Sequence, residues 1–232
     1  MPLPTVIHSQ VDPAAITKVT RLFNNTLGSM LTELIQNARR AGATTIDLDV
    51  AEAEDRQWLI IRDDGAGIAD PAVILALGRS GWDDEVAVRE DPAGMGAFSL
   101  AGRRVEIRSR PRPSGDGWRV AIAPGDWESG APIAVTACDH PFGTEIRLLL
   151  DDEWAKMLEA AAISAARYCP TPIRFKGSPL AQSDWLADAA VILETDGVRI
   201  GLFNAPRAAH YQPRINFHGL TVPCTLPSVD EK

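Results

Sequence analysis

Cysteine is scarce in this chain. The three present, Cys138, Cys169 and Cys224, lie far apart, with no Cys-x-x-Cys pair and no Cys/His metal spacing. An odd, scattered set excludes a disulfide framework. Histidine is equally thin: His8, His140, His210 and His218 are dispersed, so no metal site is expected from protein ligands alone. No apolar run approaches the roughly 18 residues of a membrane-spanning helix. The N-terminus also lacks the charged-then-apolar pattern of a secretory signal. The default expectation is a soluble protein in a reducing, cytoplasmic setting, with no membrane partner. Excess positive charge is missing as well. The formal net charge is −8 and the pI about 5.0, which gives nucleic acid or anionic lipid no overall attraction and leaves only a local basic patch open. There are no internal repeats and no low-complexity tract.

What is present is enough apolar sequence for a core. The 232 residues are 45% hydrophobic, sufficient for one large domain, or one domain and part of another. The stretch that organises the rest is Leu31 to Ala41, LTELIQNARRA. Its apolar residues, Met30, Leu31, Leu34, Ile35, Ala38 and Ala41, recur at helical spacing and would dock on a sheet. Glu33 and Asn37 stand four residues apart, one turn apart on one face, and Arg40 extends that stripe. An acid and an amide over an apolar foundation suit a divalent cation and a water; taken alone, the same pair is an ordinary solvated face.

Around this helix the pattern alternates in kind. Asp12-Pro13 reads as the start of a first helix, Ala14 to Asn25, and Gly28-Ser29 as its break and the cap of the next. Strands are expected over Thr44–Val50 and Trp58–Arg62 as a hairpin, then a short helix over Pro71–Leu77. Gly78 to Ala93 reads as a loop of the kind that covers a ligand. A small-residue helix over Ala97–Ala101 follows, then strands near 105–109, 118–123, 133–137 and 145–150. A long helix runs from Asp151 to about Tyr168, stopped by Pro170 and Pro172. Short strands over 173–176, 191–194, 198–203, 214–217 and 220–222 close the chain. The order indicates an α/β (α+β) two-layer sandwich with a mixed, mostly antiparallel sheet covered by helices on one face.

Three further motifs carry chemistry. Asp63-Asp64-Gly65-Ala66-Gly67-Ile68 follows a strand; its glycines let backbone approach a flat ligand, and its acid can accept from an exocyclic amine. Read alone, it is good turn chemistry. Gly94-Met95-Gly96-Ala97-Phe98 opens a helix and exposes backbone N–H groups to an anion such as phosphate; read alone, it is a helix start. Phe142-Gly143-Thr144 would pass for a bend before a strand.

Together and in this order, ELIQNA, DDGAGI, GMGAFSL and FGTEI resemble the GHKL superfamily: gyrase B, the heat-shock-90 chaperones, histidine kinases and MutL. These share the Bergerat ATP-binding fold. The resemblance covers roughly residues 14 to 176 and is closest to the chaperone-like branch, the heat-shock-90-like and MutL-like ATP-binding domains. A Walker A loop is absent, as it is in the superfamily. The resemblance implies ATP and Mg²⁺ as ligands. It implies Glu33 as the general base that polarises the attacking water, and Asn37 as the Mg²⁺ ligand. Asp63 would accept the adenine amine, with Gly65, Gly67 and Ile68 shaping that pocket and Thr144 backing Asp63 through a water. Gly94, Met95, Gly96, Ala97 and Phe98 would form the phosphate-contacting lid hinge. Asp64 stands where Asn or Thr is usual. Arg40 stands where chaperones and MutL have Asp, so it either reaches a phosphate or faces solvent. Lys176, Arg207 and Arg214 are candidates, by elimination, for the cation that a second, transducer domain often supplies.

On this reading residues 1–176 form the ATP-binding domain and 177–232 a strand-rich extension that begins a second, transducer-like domain. The ending at Lys232 has no clear terminal element, which suggests a piece of a longer protein. The implied function is ATP hydrolysis that drives lid closure, self-association as a nucleotide-dependent homodimer, and a chaperone-like or clamp-like cycle. Two alternatives stand beside it. One is a protein kinase of the histidine-kinase or anti-sigma type, although no phosphoacceptor-His helix pair is visible. The other is a nucleotide-sensing module with negligible turnover alone. Whether the client is protein or DNA is open.

Overall fold

The computed structural model describes residues 26–53, 55–75, 99–113, 115–129, 131–195, 198–204 and 214–223. The expected first helix (14–25), the covering loop (78–93), the 94–98 motif and Arg207 lie outside the described residues.

Helix α1 spans Leu27–Arg40. Its cap lies earlier than the sequence reading placed it: Thr26, not Ser29, is the N-cap, and Gly28 and Ser29 are inside the first turn. The reason is a reciprocal capping box. Thr26 Oγ1 accepts from Ser29 N at 3.1 Å while Thr26 N donates to Ser29 Oγ at 3.4 Å, so two otherwise orphaned donors are satisfied. Leu27, Met30, Leu31, Leu34, Ile35 and Ala38 are all buried.

Strands β1 (Ile46–Ala53) and β2 (Arg56–Asp63) form the expected hairpin. A single 3-10 turn, Pro71–Leu75, replaces the short helix expected there. Then come β3 (Val105–Arg110), β4 (Trp118–Ile122), a one-turn helix (Asp126–Ser129), β5 (Val135–Ala137) and β6 (Gly143–Leu149). Helix α2 (Asp152–Ala166) is capped by Asp151, whose carboxylate accepts from Trp154 N. Strands β7 (Ile173–Phe175) and β8 (Ser178–Pro179) follow. Strands β1 to β8 make one sheet in the order β5-β4-β3-β6-β2-β1-β7-β8. Every pairing is antiparallel except β1 with β7. This is the two-layer, mostly antiparallel architecture expected.

Strand alternation decides which face is covered. Ile46 and Leu48, Leu59 and Ile61, Val105 and Ile107, Val120 and Ile122, and Leu148 point to the helices and form one core with α1 and α2. The opposite face carries charge. There Glu145, only 5% exposed, lies 2.6 Å from Arg62 and 2.7 Å from Arg147. Burial alone would raise its carboxyl, and the two guanidinium bonds overcome that and hold it below the usual range.

Two more hairpins end the described chain, β9 (Val191–Thr195) with β10 (Val198–Leu202) and β11 (Arg214–Phe217) with β12 (Leu220–Pro223). The first leaves Val191, Leu193, Val198, Ile200 and Leu202 about half exposed. The turn of the second touches the site helix: Gln36 Nε2 donates to the His218 carbonyl at 2.7 Å. Among the described residues no helix is long and apolar enough to cross a membrane.

Candidate functional site

The register brings three side chains into one row. Asp63 at the end of β2 pairs with Thr144 at the start of β6, and Thr144 pairs with Ser109 near the end of β3. All three share the phase of the core residues on their strands, so the row lies on the helix-covered face where the apolar core gives out.

Asp63 is half-buried, and among the described residues no cation pairs with it. Desolvation dominates and pushes its pKa up to about 6; bonds from the Gly65 and Thr144 backbone hold it down in part, and the neighbouring Asp64 charge raises it further. Gly65 N donates to Asp63 Oδ1 at 2.9 Å. Asp64 has a different task. It accepts from Thr44 N at 2.7 Å, from Thr45 N at 3.0 Å and from the Thr44 hydroxyl. These bonds outweigh its desolvation and hold its pKa down. Asp64 thus fastens the loop to the start of β1, and Asp63 is the acid left for a ligand.

The loop after β2 is docked on the end of α1. Ala66 N donates to the Ala41 carbonyl at 2.8 Å. A Cβ at position 65 would lie 2.8 Å from both the Cβ and the oxygen of Ala41, so only glycine allows this approach. On its other side the loop meets the strand-end 110–112: Arg112 N donates to Ala66 O at 2.8 Å, and Gly67 lies against the Arg110 carbonyl. Ile68 is held at both ends, its N–H on Ser109 Oγ at 2.9 Å and its carbonyl under Trp118 Nε1 at 2.9 Å. Gly143 is the second position where geometry demands glycine. Its φ is +115°, and a Cβ there would sit 2.0 Å from the Asp63 carbonyl oxygen.

On α1, Glu33 and Asn37 share a face as expected, and Arg40 folds back onto both. Its Nη1 lies 3.2 Å from Asn37 Oδ1 and 3.7 Å from Glu33 Oε1. The Arg40 side chain is 13% exposed against 33% for Glu33, so the solvent-facing alternative for Arg40 does not hold. The donor set suits a hard cation: one carboxylate and one neutral amide oxygen on adjacent turns, now shared by a guanidinium. Mg²⁺ bound with a polyphosphate needs few protein ligands and keeps several waters, so these residues fit it.

The structure therefore brings together Asp63, Gly65, Gly67, Ile68 and Thr144 in one group and Glu33, Asn37 and Arg40 in another. The Gly65–Ala41 contact joins the two. Lys176 places its ammonium 5.3 Å over the Phe175 ring. Ser109, Trp118 and Arg112 were missed in the sequence. Ser109 had a signal: it is a polar residue on the apolar phase of Val105-x-Ile107-x-Ser109. A separate concavity of about 1200 Å³ lies at the opposite end of the β1–β2 hairpin, lined by Glu52, Asp55, Asp151, Asp152 and Glu153 with Arg56 and Lys156. Its acidic excess would repel a polyphosphate.

Comparison with known proteins agrees with this geometry. Residues 25–112 match the family described as "Histidine kinase-, DNA gyrase B-, and HSP90-like ATPase". Residues 25–112 thus carry the sequence pattern of a GHKL-superfamily ATP-binding domain. Among characterised relatives, the DNA mismatch repair protein MutL of Pectobacterium atrosepticum is 29% identical over 132 residues, covering 52% of this chain and 19% of that protein. MutL of Shewanella amazonensis is 31% identical over 129 residues, with 52% and 19% covered. MutL of Paramagnetospirillum magneticum is 31% identical over 127 residues, with 52% and 20% covered. The matched region is thus similar to the ATPase family that includes the HSP90-like proteins and to MutL, and it spans about a fifth of these MutL relatives' length. A solved structure described as the N-terminal domain of a DNA repair protein overlays with a TM-score of 0.46 at 16% identity, covering 71% of this chain and 53% of the other.

Proposed function

We propose that this chain binds ATP with Mg²⁺ and hydrolyses it, using the binding energy for a clamp-like conformational cycle. The observation that carries this reading is Asp63: a half-buried, desolvated carboxylate with no cation partner among the described residues, beside a glycine loop docked on the helix of Glu33 and Asn37. Keeping such a group charged needs hydrogen-bond donors. The 6-amine of adenine supplies a donor without bringing a charge, whereas guanine presents a carbonyl that the acid would repel. A charged hydrogen bond of this kind contributes about 1.5–3 kcal/mol, enough to set purine preference.

In this reading Gly65, Gly67 and Ile68 flank the base and Thr144 supports Asp63. Asn37 would hold Mg²⁺, Glu33 would orient and deprotonate water, and residues 94–98 (Gly94, Met95, Gly96, Ala97 and Phe98) would meet the phosphates. Mg²⁺ would supply charge neutralisation at the phosphates. Arg40 lies against both side chains without ligand; Mg²⁺ and nucleotide would displace it, and its guanidinium would then be free to hold a phosphate oxygen. Residues 177–232 begin a second, transducer-like domain, since the half-exposed apolar side chains of β9 and β10 need a cover. In a longer parent protein, nucleotide-dependent homodimerisation would complete the site, with ADP as product. The MutL relatives favour DNA over a chaperone client as the eventual partner.

One observation favours a second reading, a nucleotide-sensing module with little turnover alone. Arg40 lies 3.7 Å from Glu33 and 3.2 Å from Asn37, so a guanidinium already occupies the place where the attacking water and the cation would sit. Isothermal titration with Mg-ATP and a phosphate-release assay on the same protein separate the two. Binding with release supports hydrolysis, binding without release supports sensing, and absence of binding refutes both.

A further inference from the structure

Ser109 is fully buried, and its hydroxyl is the hub of three contacts at the end of the Asp63–Thr144 row. Ile68 N–H donates to it at 2.9 Å, it donates to the Gly143 carbonyl at 2.9 Å, and Thr144 Oγ1 lies 3.1 Å away. A hydroxyl has one proton and two lone pairs. A carbonyl and an amide leave no choice of direction, so the Ser109 proton goes to Gly143 and one lone pair goes to Ile68. The assignment that satisfies all three contacts has the Thr144 hydroxyl donating to the remaining lone pair. The Thr144 proton is then committed inward, and only its lone pairs are left for a ligand or a bridging water.

We infer that Ser109 is a positioning residue that sets base specificity, by locking Thr144 as an acceptor. The inference rests on the reading of Asp63 and Thr144 as the purine-recognising pair. An unrestrained threonine hydroxyl rotates and donates to whatever faces it. It could then rescue a 6-oxo purine by donating to the carbonyl that Asp63 repels. With Ser109 in place that rescue is closed. The row offers acceptors alone, and a 6-amino purine satisfies them while a 6-oxo purine does not. A site whose buried polar groups would be left unpaired by the wrong ligand discriminates far better than shape alone.

The test is isothermal titration of Mg-ATP and Mg-GTP into the full chain as wild type, Ser109→Ala, Thr144→Val and the double variant. Ser109→Ala is expected to lower the GTP/ATP ratio of dissociation constants by about tenfold, the scale of one hydrogen bond. In the Thr144→Val background the same change is expected to leave the ratio alone, because the hydroxyl through which Ser109 acts is gone. A general loosening of the pocket would weaken both nucleotides and leave the ratio unmoved. An unchanged ratio in folded Ser109→Ala, or an equal fall in both backgrounds, overturns the inference. If circular dichroism shows Ser109→Ala unfolded, Ser109→Cys, a poor donor and acceptor of similar size, should still lower the ratio, and an unchanged value overturns the inference. Wild type that binds neither nucleotide overturns the purine-site reading itself. Wild type that prefers ATP, with a ratio insensitive to position 109, leaves that reading standing and removes only Ser109.

Discussion

Replacing Asp63 by Asn should stabilise the ligand-free protein and weaken its hold on ATP. Burial lifts the Asp63 pKa from 3.8 to about 6. A carboxyl whose pKa is raised on folding binds its proton more tightly in the native state. Its contribution is fully favourable below the unfolded value and is lost as pH rises through the folded one. Two units correspond to roughly 3 kcal/mol of penalty at pH 8. Asn keeps an acceptor for the Gly65 N–H but loses one oxygen, so a net gain of about 2 kcal/mol is a fairer expectation, a Tm increase of about 4–8 °C for a chain of this size. The gain should shrink as pH falls and vanish near pH 4, where both side chains are neutral. Thermal melts from pH 4 to 8, paired with ATP titration at pH 8, measure both halves. Affinity for ATP should drop at least about tenfold, or ~1.4 kcal/mol. A variant no more stable than wild type at pH 8 would show that the carboxylate is already compensated in the folded protein. Unchanged ATP affinity would show that another group reads the base.

ATP affinity should fall as pH drops below 6 and Asp63 protonates, levelling off once the charged hydrogen bond, about 1.5–3 kcal/mol, is lost, and Asp63→Asn, which subtracts titration of the nucleotide's own phosphates, should lose that dependence; a parallel fall in the variant would refute the assignment. Gly143→Ala places a methyl 2.0 Å from the Asp63 carbonyl oxygen at a φ of +115°, so the variant should melt well below wild type, and a Tm within about 1 °C would show that β6 shifts at little cost.

The core was legible because its periods are clean. Ile46-x-Leu48 and Leu59-x-Ile61 alternate, and Met30, Leu31, Leu34, Ile35 and Ala38 recur at helical spacing. Strand order was not legible. Nothing local in FGTEI says that β6 inserts between β2 and β3, yet that insertion places Thr144 between Asp63 and Ser109. The helix start was misplaced because Thr-x-x-Ser is a weaker capping signal than the Gly-Ser pair that overlaps it. Glu33 and Asn37 could be paired from spacing alone, whereas Arg40 could not be oriented. Its direction depends on the two side chains it meets and on how deeply the face is buried. The separate tasks of Asp63 and Asp64 were also hidden, since only the fold shows that one is spent on Thr44 and Thr45 while the other is not.

The most direct test of ATP hydrolysis by this chain is Mg²⁺-dependent phosphate release by wild type and Glu33→Ala across a range of protein concentrations, with ATP affinity measured on both. The expected result is equal binding, release by wild type that rises with concentration, and release by Glu33→Ala lower by about 10²–10⁴-fold. Equal release from both proteins, or loss of ATP binding in a folded Glu33→Ala, would contradict it.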